Sequence, residues 1–309
     1  MATGGTLGLT MLRYRADSRT IGLVGCYWLL FAADWLLGFR GIWAVPLVAA
    51  TCLSSWICAV AAHNTVHCPV FKKRWMNRVF QTWLSLSYGF PISEYLPGHN
   101  LSHHRFTQLK EDVMRTSKVN FRWNLLNLGL FFFYVAPAVT AGNYRYRRAV
   151  RGTRVAWNRQ LTTEIVAVWS VKAALLLVNW QMALLYCVIP HLFALWGITT
   201  VNFLWHDGCD PDHPTNHSRN FVSPVFNWFT LNNGYHGMHH VAPALHWSLL
   251  PRKHAVRMAG IDSRLEQRSL VVYLFKTFIY PARRETYDGK PLVVAKIPDA
   301  DWVSALRPS

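Results

Sequence analysis

The chain has 309 residues, 52% hydrophobic and 15% charged, with 15 Trp, 17 Phe and 12 Tyr. That composition excludes a disordered or low-complexity protein and supplies enough apolar surface for a large interior. Its 32 Lys and Arg against 15 Asp and Glu leave a net charge of +17, an excess that suits nucleic acid, an anionic membrane face or an acidic partner. Six scattered Cys without a C-x-x-C pair argue against a disulfide framework, a zinc ribbon or a cysteine-held iron–sulfur cluster.

The N-terminal stretch carries Arg and Asp ahead of any apolar run and has no small-residue cleavage site, so it does not read as a cleaved signal peptide. Residues 21–38 and 43–62 are each long and apolar enough to cross a hydrocarbon layer of roughly 30 Å, and Phe39-Arg40-Gly41 joins them as a hairpin. A second pair, 161–179 and 182–204, is linked at Trp180-Gln181. The segment 124–141 has a shorter apolar core interrupted by Pro137, and it reads as interfacial or re-entrant. The expected fold is therefore an all-α integral membrane protein with four transmembrane helices in two hairpins. A helical cap, residues 63–160 and 205–309, carries the remaining chemistry within one domain spanning 1–309.

Charge sets the expected orientation. Arg13, Arg15 and Arg19 precede the first span, Lys72, Lys73, Arg74 and Arg78 follow the second, and a run from Arg145 to Arg159 precedes the third. Since Lys and Arg near span ends stay on the cytosolic side, both termini and the cap are expected in the cytosol. The basic excess is then mostly juxtamembrane, and no nucleic-acid recognition motif accompanies it. Asp34 and Lys172 fall about 20 and 17 Å into their spans at 1.5 Å per residue, and pairing would relieve the cost of burying each charge in lipid. His191 lies mid-span and is expected as a hydrogen-bonded interior residue. The tail beyond 251 mixes charge with apolar runs such as Leu270 to Phe275 and is expected to fold against the cap.

Histidine is clustered. His63 and His67 follow the second span, His99, His103 and His104 lie in the first part of the cap, and His236, His239 and His240 in the last. Any one prescribed triple arises by chance on the order of 10⁻⁴ per starting position. Spacings of three and four place residues on one helix face, so each cluster is a comb of imidazoles aimed at one point. Imidazole suits Fe, Cu, Ni or Zn rather than Ca²⁺ or Mg²⁺, and eight such ligands exceed the needs of a single ion, which points to a two-metal centre. Asn202 and His206, four apart at the cap end of the fourth span, are placed to look into the same centre. His206 would be a ninth imidazole, and Asn202 would reach the metal directly or through water. His213, His217, His246 and His254 read as solvated or structural, Cys68 and Cys209 as bystanders, and Asp207, Asp210 or Asp212 as able to orient a ligand imidazole.

The boxes H-x3-H, H-x3-HH and H-x2-HH, in this order around two membrane hairpins, resemble the integral-membrane fatty acid desaturase and hydroxylase family over roughly residues 21–250. Asn233-Gly234-Tyr235-His236 is similar to that family's approach to its third box. The resemblance implies a non-haem centre of two Fe ions that uses O2 to take hydrogen from an unactivated C–H bond of a lipid or fatty acyl chain. It also brings Asn202 and His206 in as the outer contribution to that centre. The box spacings differ from those usual in the acyl-CoA branch, which tells against a CoA-thioester substrate. No haem-binding segment or ferredoxin-like Cys set is present, so electrons are expected from a separate ferredoxin or cytochrome b5 type protein. Desaturation is the leading reading and hydroxylation of the same chain the alternative. A zinc-dependent membrane hydrolase normally needs a motif such as H-E-x-x-H, which this sequence lacks. A metal transporter needs ligands along a path within the membrane.

Overall fold

A computed structural model of the protein describes residues 11–280, 283–295 and 297–306. The first ten residues of the N-terminal stretch lie outside it. About 68% of the chain is helical. Among the described residues the α-helices of four residues or more are, in chain order, α1 (Asp17–Leu37), α2 (Val45–His67), α3 (Arg74–Tyr88), α4 (Asn124–Ala149), α5 (Val155–Ala183), α6 (Ile189–His206), α7 (Pro224–Phe229), α8 (His236–Val241), α9 (Leu250–Arg257), α10 (Leu270–Leu274) and α11 (Trp302–Ala305). Three π-helical segments, Leu96–His103, Leu184–Val188 and Phe275–Ile279, interrupt or extend them. The strands among the described residues are two short ones, β1 (Asn220–Phe221) and β2 (Glu266–Gln267), paired in parallel. The chain divides into two compact units, residues 1–93 with 154–198, and residues 94–153 with 199–309.

In the first unit α1 packs along α2, α2 against α3, and α3 against α5. α1 stops at Gly38, whose left-handed φ of 63° turns its N–H back onto the Asp34 carbonyl. Small residues bring α2 close to its neighbours, with Ala59, Ala61 and Ala62 fully buried. The apolar stretch Val155–His206 runs for 52 residues, broken at Asn179, whose backbone is extended (φ −158°, ψ 94°). The Asn179 side-chain oxygen accepts the Met182 N–H and so starts the next helical stretch. The break falls one residue ahead of the link expected at Trp180-Gln181.

Asp34 and Lys172 do not pair. Asp34 accepts the Thr51 hydroxyl at 2.6 Å, while the Lys172 ammonium donates to the Gly89 carbonyl at 2.7 Å and lies over the rings of Phe90 and Trp169. Their helices explain it, because α1 turns to α2 and α5 turns to α3, so each side chain finds its hydrogen bond on its own neighbour. His191 is hydrogen-bonded to the Tyr27 hydroxyl at 2.9 Å. Its ring fills the space a Cβ would need at Gly89, where φ is 89°, so that position requires glycine twice over.

In the second unit α4 is a continuous 26-residue helix that passes through Pro137. It is long and apolar enough to cross a membrane, where the sequence suggested a shorter re-entrant segment. The helix runs on past the apolar segment through Tyr144, Tyr146 and the basic residues to Ala149, and a helix of this length can lose one hydrogen bond at Pro137 and persist. The four long apolar helices are therefore Asp17–Leu37, Gly41–His67, Asn124–Ala149 and Val155–His206. A core of Leu128, Phe131, Phe203, Phe221, Tyr273 and Phe278 backs the C-terminal end of α6.

The tail closes this unit. The Arg284 guanidinium pairs with Asp207, donates to the carbonyls of Val119 and Thr116, and covers the Phe203 ring. Asp299 accepts from Arg115 and Lys118, Arg115 also donates to the Ile297 carbonyl, and Trp302 is fully buried beside Tyr146 and Gly142. The apolar run Leu270 to Phe275 is only partly interior, because Tyr273 is buried while Val271, Val272 and Phe275 are exposed.

Candidate metal centre

The second histidine box sits on the π-helical segment Leu96–His103 and the single α-turn that follows it. In a π-segment the hydrogen bonds close five residues apart, and the His104 N–H duly reaches the His99 carbonyl. That turn sets the His99 and His104 rings edge to face, with their Nε2 atoms 3.0 Å apart. The third box occupies α8. It is reached through a tight approach in which Leu231 and Asn232 are left-handed, with φ of 50° and 56°. Gly234 donates its N–H to the Asn227 side chain and passes so close to the Phe221 carbonyl that no Cβ would fit. α6 delivers His206 from behind, held by the core cluster.

Two constellations result within the second unit. One ring nitrogen from each of His103, His206, His236 and His240 lies within 4.8 Å of all the others. His99, His104 and His239 form a second group meeting the same limit. His206 Nε2 is 3.0 Å from His236 Nε2 and 3.1 Å from His240 Nε2, and His239 Nε2 is 3.1 Å from His104 Nε2. The rings of His104 and His240 stack at 4.3 Å and join the groups.

Protonation favours a cation. Asp112 accepts from His103 Nδ1 at 2.9 Å, both side chains are fully buried, and His103 Nε2 has no hydrogen-bond partner. Burial alone would raise the Asp112 carboxyl, but the His103 imidazole and the N–H groups of Gln108 and Met114 outweigh it and hold it below the usual carboxylate range. His206 Nδ1 faces the His217 carbonyl at 3.3 Å, and His240 Nδ1 faces the Thr107 hydroxyl at 3.4 Å. Burial and four neighbouring imidazoles push the His240 pKa well below its ordinary value. Partners at Nδ1 place each of these rings to carry its proton there and to present an Nε2 lone pair inward. Lone pairs about 3 Å apart repel unless a positive centre lies between them. Neighbouring nitrogens around one ion at roughly 2.1 Å are themselves about 3.0 Å apart. The donor set fits a transition-metal ion.

His63 and His67 lie one turn apart at the C-terminal end of α2, in the first unit, with rings 5.3 Å apart. Asn202 is buried one turn before His206, and its side-chain nitrogen donates to the Met114 carbonyl at 2.9 Å. His246 accepts from Ser248 and His254 pairs with Glu266, each away from both constellations. Asp207 binds Arg284 and orients no imidazole. Asp112 was not singled out from the sequence, because it stands nine residues past His103 in a loop and no recurring spacing marks it. His217 was expected in solvent. It is instead half-buried beside His240, and its carbonyl fixes His206.

The sequence profile of the fatty acid desaturase family matches residues 40–268, and the chain belongs to that family. It is an oxidoreductase enzyme. A sphingolipid delta(4)-desaturase of Drosophila melanogaster is 25% identical, over 78% of this chain and 75% of its own length. A putative sphingolipid delta(4)-desaturase/C4-monooxygenase of Caenorhabditis elegans is 23% identical, over 88% of this chain and 73% of its own.

Proposed function

We propose that the protein is an O2-dependent membrane oxidoreductase that holds two Fe ions and desaturates a fatty acyl or lipid chain. The observation that carries this reading is the convergence of seven imidazoles into two constellations within one unit of a desaturase-family chain. The proposed ligands are His99, His103, His104, His206, His236, His239 and His240. His63 and His67 join them on their box spacing, and Asn202 on its place one turn before His206. When bound, the irons supply O2 activation and the abstraction of hydrogen from an unactivated C–H bond. The protein's own part is to hold donors: Asp112, Thr107 and the His217 carbonyl keep their imidazoles in the tautomer that offers Nε2. The long apolar helices would hold the lipid chain, and both termini and the cap would face the cytosol by the distribution of Lys and Arg. Electrons would come from a separate ferredoxin or cytochrome b5 type donor.

Hydroxylation is the alternative outcome, supported by the monooxygenase named among the relatives. Lipid mass spectrometry of expressing cells, together with metal analysis of the purified protein, tests both. A new double bond with about two Fe per chain is expected, lost on His99→Ala or His240→Ala. A hydroxylated lipid in its place would favour the alternative. Stoichiometric zinc in active protein would overturn the iron assignment.

A further inference from the structure

Between α3 and the start of α5, wholly within the first unit, lies a cleft of about 280 Å³ lined by Arg78, Ala156, Arg159, Gln160 and Thr163. We propose that this cleft binds the phosphodiester headgroup of an anionic glycerophospholipid. Neither Arg78 nor Arg159 forms an ion pair among the described residues, and neither helix has an acidic residue in its first turn. The nearby carboxylate, Glu164, is buried and already accepts from Ser93 and Gln160. Two un-neutralised guanidinium groups lining one cleft repel each other until an anion lies between them, and a phosphate oxygen pair matches the guanidinium fork.

The cleft has fixed walls. Gln160 bridges the two helices, donating to the Arg78 carbonyl and the Thr82 hydroxyl, so Arg78 and Arg159 are held on facing helices. Apolar surface continues from it. On α3 the face of Arg78 also carries Trp75, one turn before it and 62% exposed, and Trp75 is flanked in turn by the equally exposed Val79. On α5 the face of Arg159 and Thr163 continues to exposed Val166, about 10 Å farther along the helix. A charged head with apolar surface running away from it on both sides is the shape of a phospholipid, with Trp75 as the interfacial aromatic. The proposal needs only membrane residence, and it stands or falls separately from the reaction assigned above.

Native mass spectrometry of the full-length protein, titrated with phosphatidylglycerol or phosphatidylcholine, tests it. Wild type is expected to retain one phosphatidylglycerol, with phosphatidylcholine not retained. Arg78→Gln with Arg159→Gln should need roughly tenfold more lipid for equal retention, while Arg257→Gln on α9 should behave as wild type. The double Lys variant, which keeps the charge and loses the fork, should fall between and guards against misfolding of the Gln variant. Millimolar glycerol phosphate should fail to displace the lipid. Equal retention by the double Gln variant, equal loss in Arg257→Gln, or displacement by the soluble phosphate ester would each overturn the lipid site.

Discussion

Asp112 decides which nitrogen His103 offers. Its carboxylate accepts the hydrogen bond from His103 Nδ1–H and is itself pinned by two backbone N–H groups at 2.8 and 2.9 Å. Asp112→Asn should keep the shape but allow the wrong tautomer, so iron per chain is expected to drop in metal analysis while the fold persists by circular dichroism. Full iron content in that variant would remove Asp112 from any role in the centre. His206→Ala is expected to lose one of the two irons preferentially, and Asn202→Ala to keep iron yet turn over slowly. At this scale the imidazoles were legible because their spacing repeats, and their partners were not. A carboxylate nine residues away, or the carbonyl of His217, leaves no periodic trace in a sequence.

Periodicity found the long apolar elements but misjudged where they begin, break and end. α4 was hidden by Pro137, since a proline in a run of 18 residues reads as a terminator and in a 26-residue helix as a tolerated gap. The π-segment Leu96–His103 was equally invisible. A spacing of four and five fits both an α-turn and a wider one, and only the wider turn brings His99 and His104 to 3.0 Å. The approach to α8 carries a more local demand. Gly234→Ala should push its Cβ into the Phe221 carbonyl and the Asn227 side chain, costing about 1–3 kcal/mol and displacing His236. Both thermal unfolding and iron content should fall. Gly152→Ala, at a position with open space around the missing Cβ, should change neither.

For the whole molecule, family resemblance and physical construction have different limits. The family match ends at residue 268, yet Arg284, Asp299 and Trp302 close the second unit. Arg284→Met leaves Asp207 as a buried carboxylate without its cation, and about 3–5 kcal/mol of stability should be lost in denaturant titration. Asp299→Asn, which takes the carboxylate from the buried Arg115 and Lys118 but at a position half exposed to solvent, should cost about 1–3 kcal/mol, less than Arg284→Met. Exposed Lys72, Lys73 and Arg74 at the start of α3 are expected to steer an acidic electron donor. Reduction by such a donor should therefore slow as salt is raised, and rates independent of ionic strength would argue against steering.

Arg115 and Asp299 are 184 residues apart in sequence, and that distance is also an order of events. A ribosome releases the loop that presents Asp112 long before it releases the residues that fasten the loop. Early in its life the growing chain would therefore carry histidines whose surroundings are not yet closed. Any metal loading would follow the emergence of Arg284 and Asp299, the residues that fasten this unit from far along the chain.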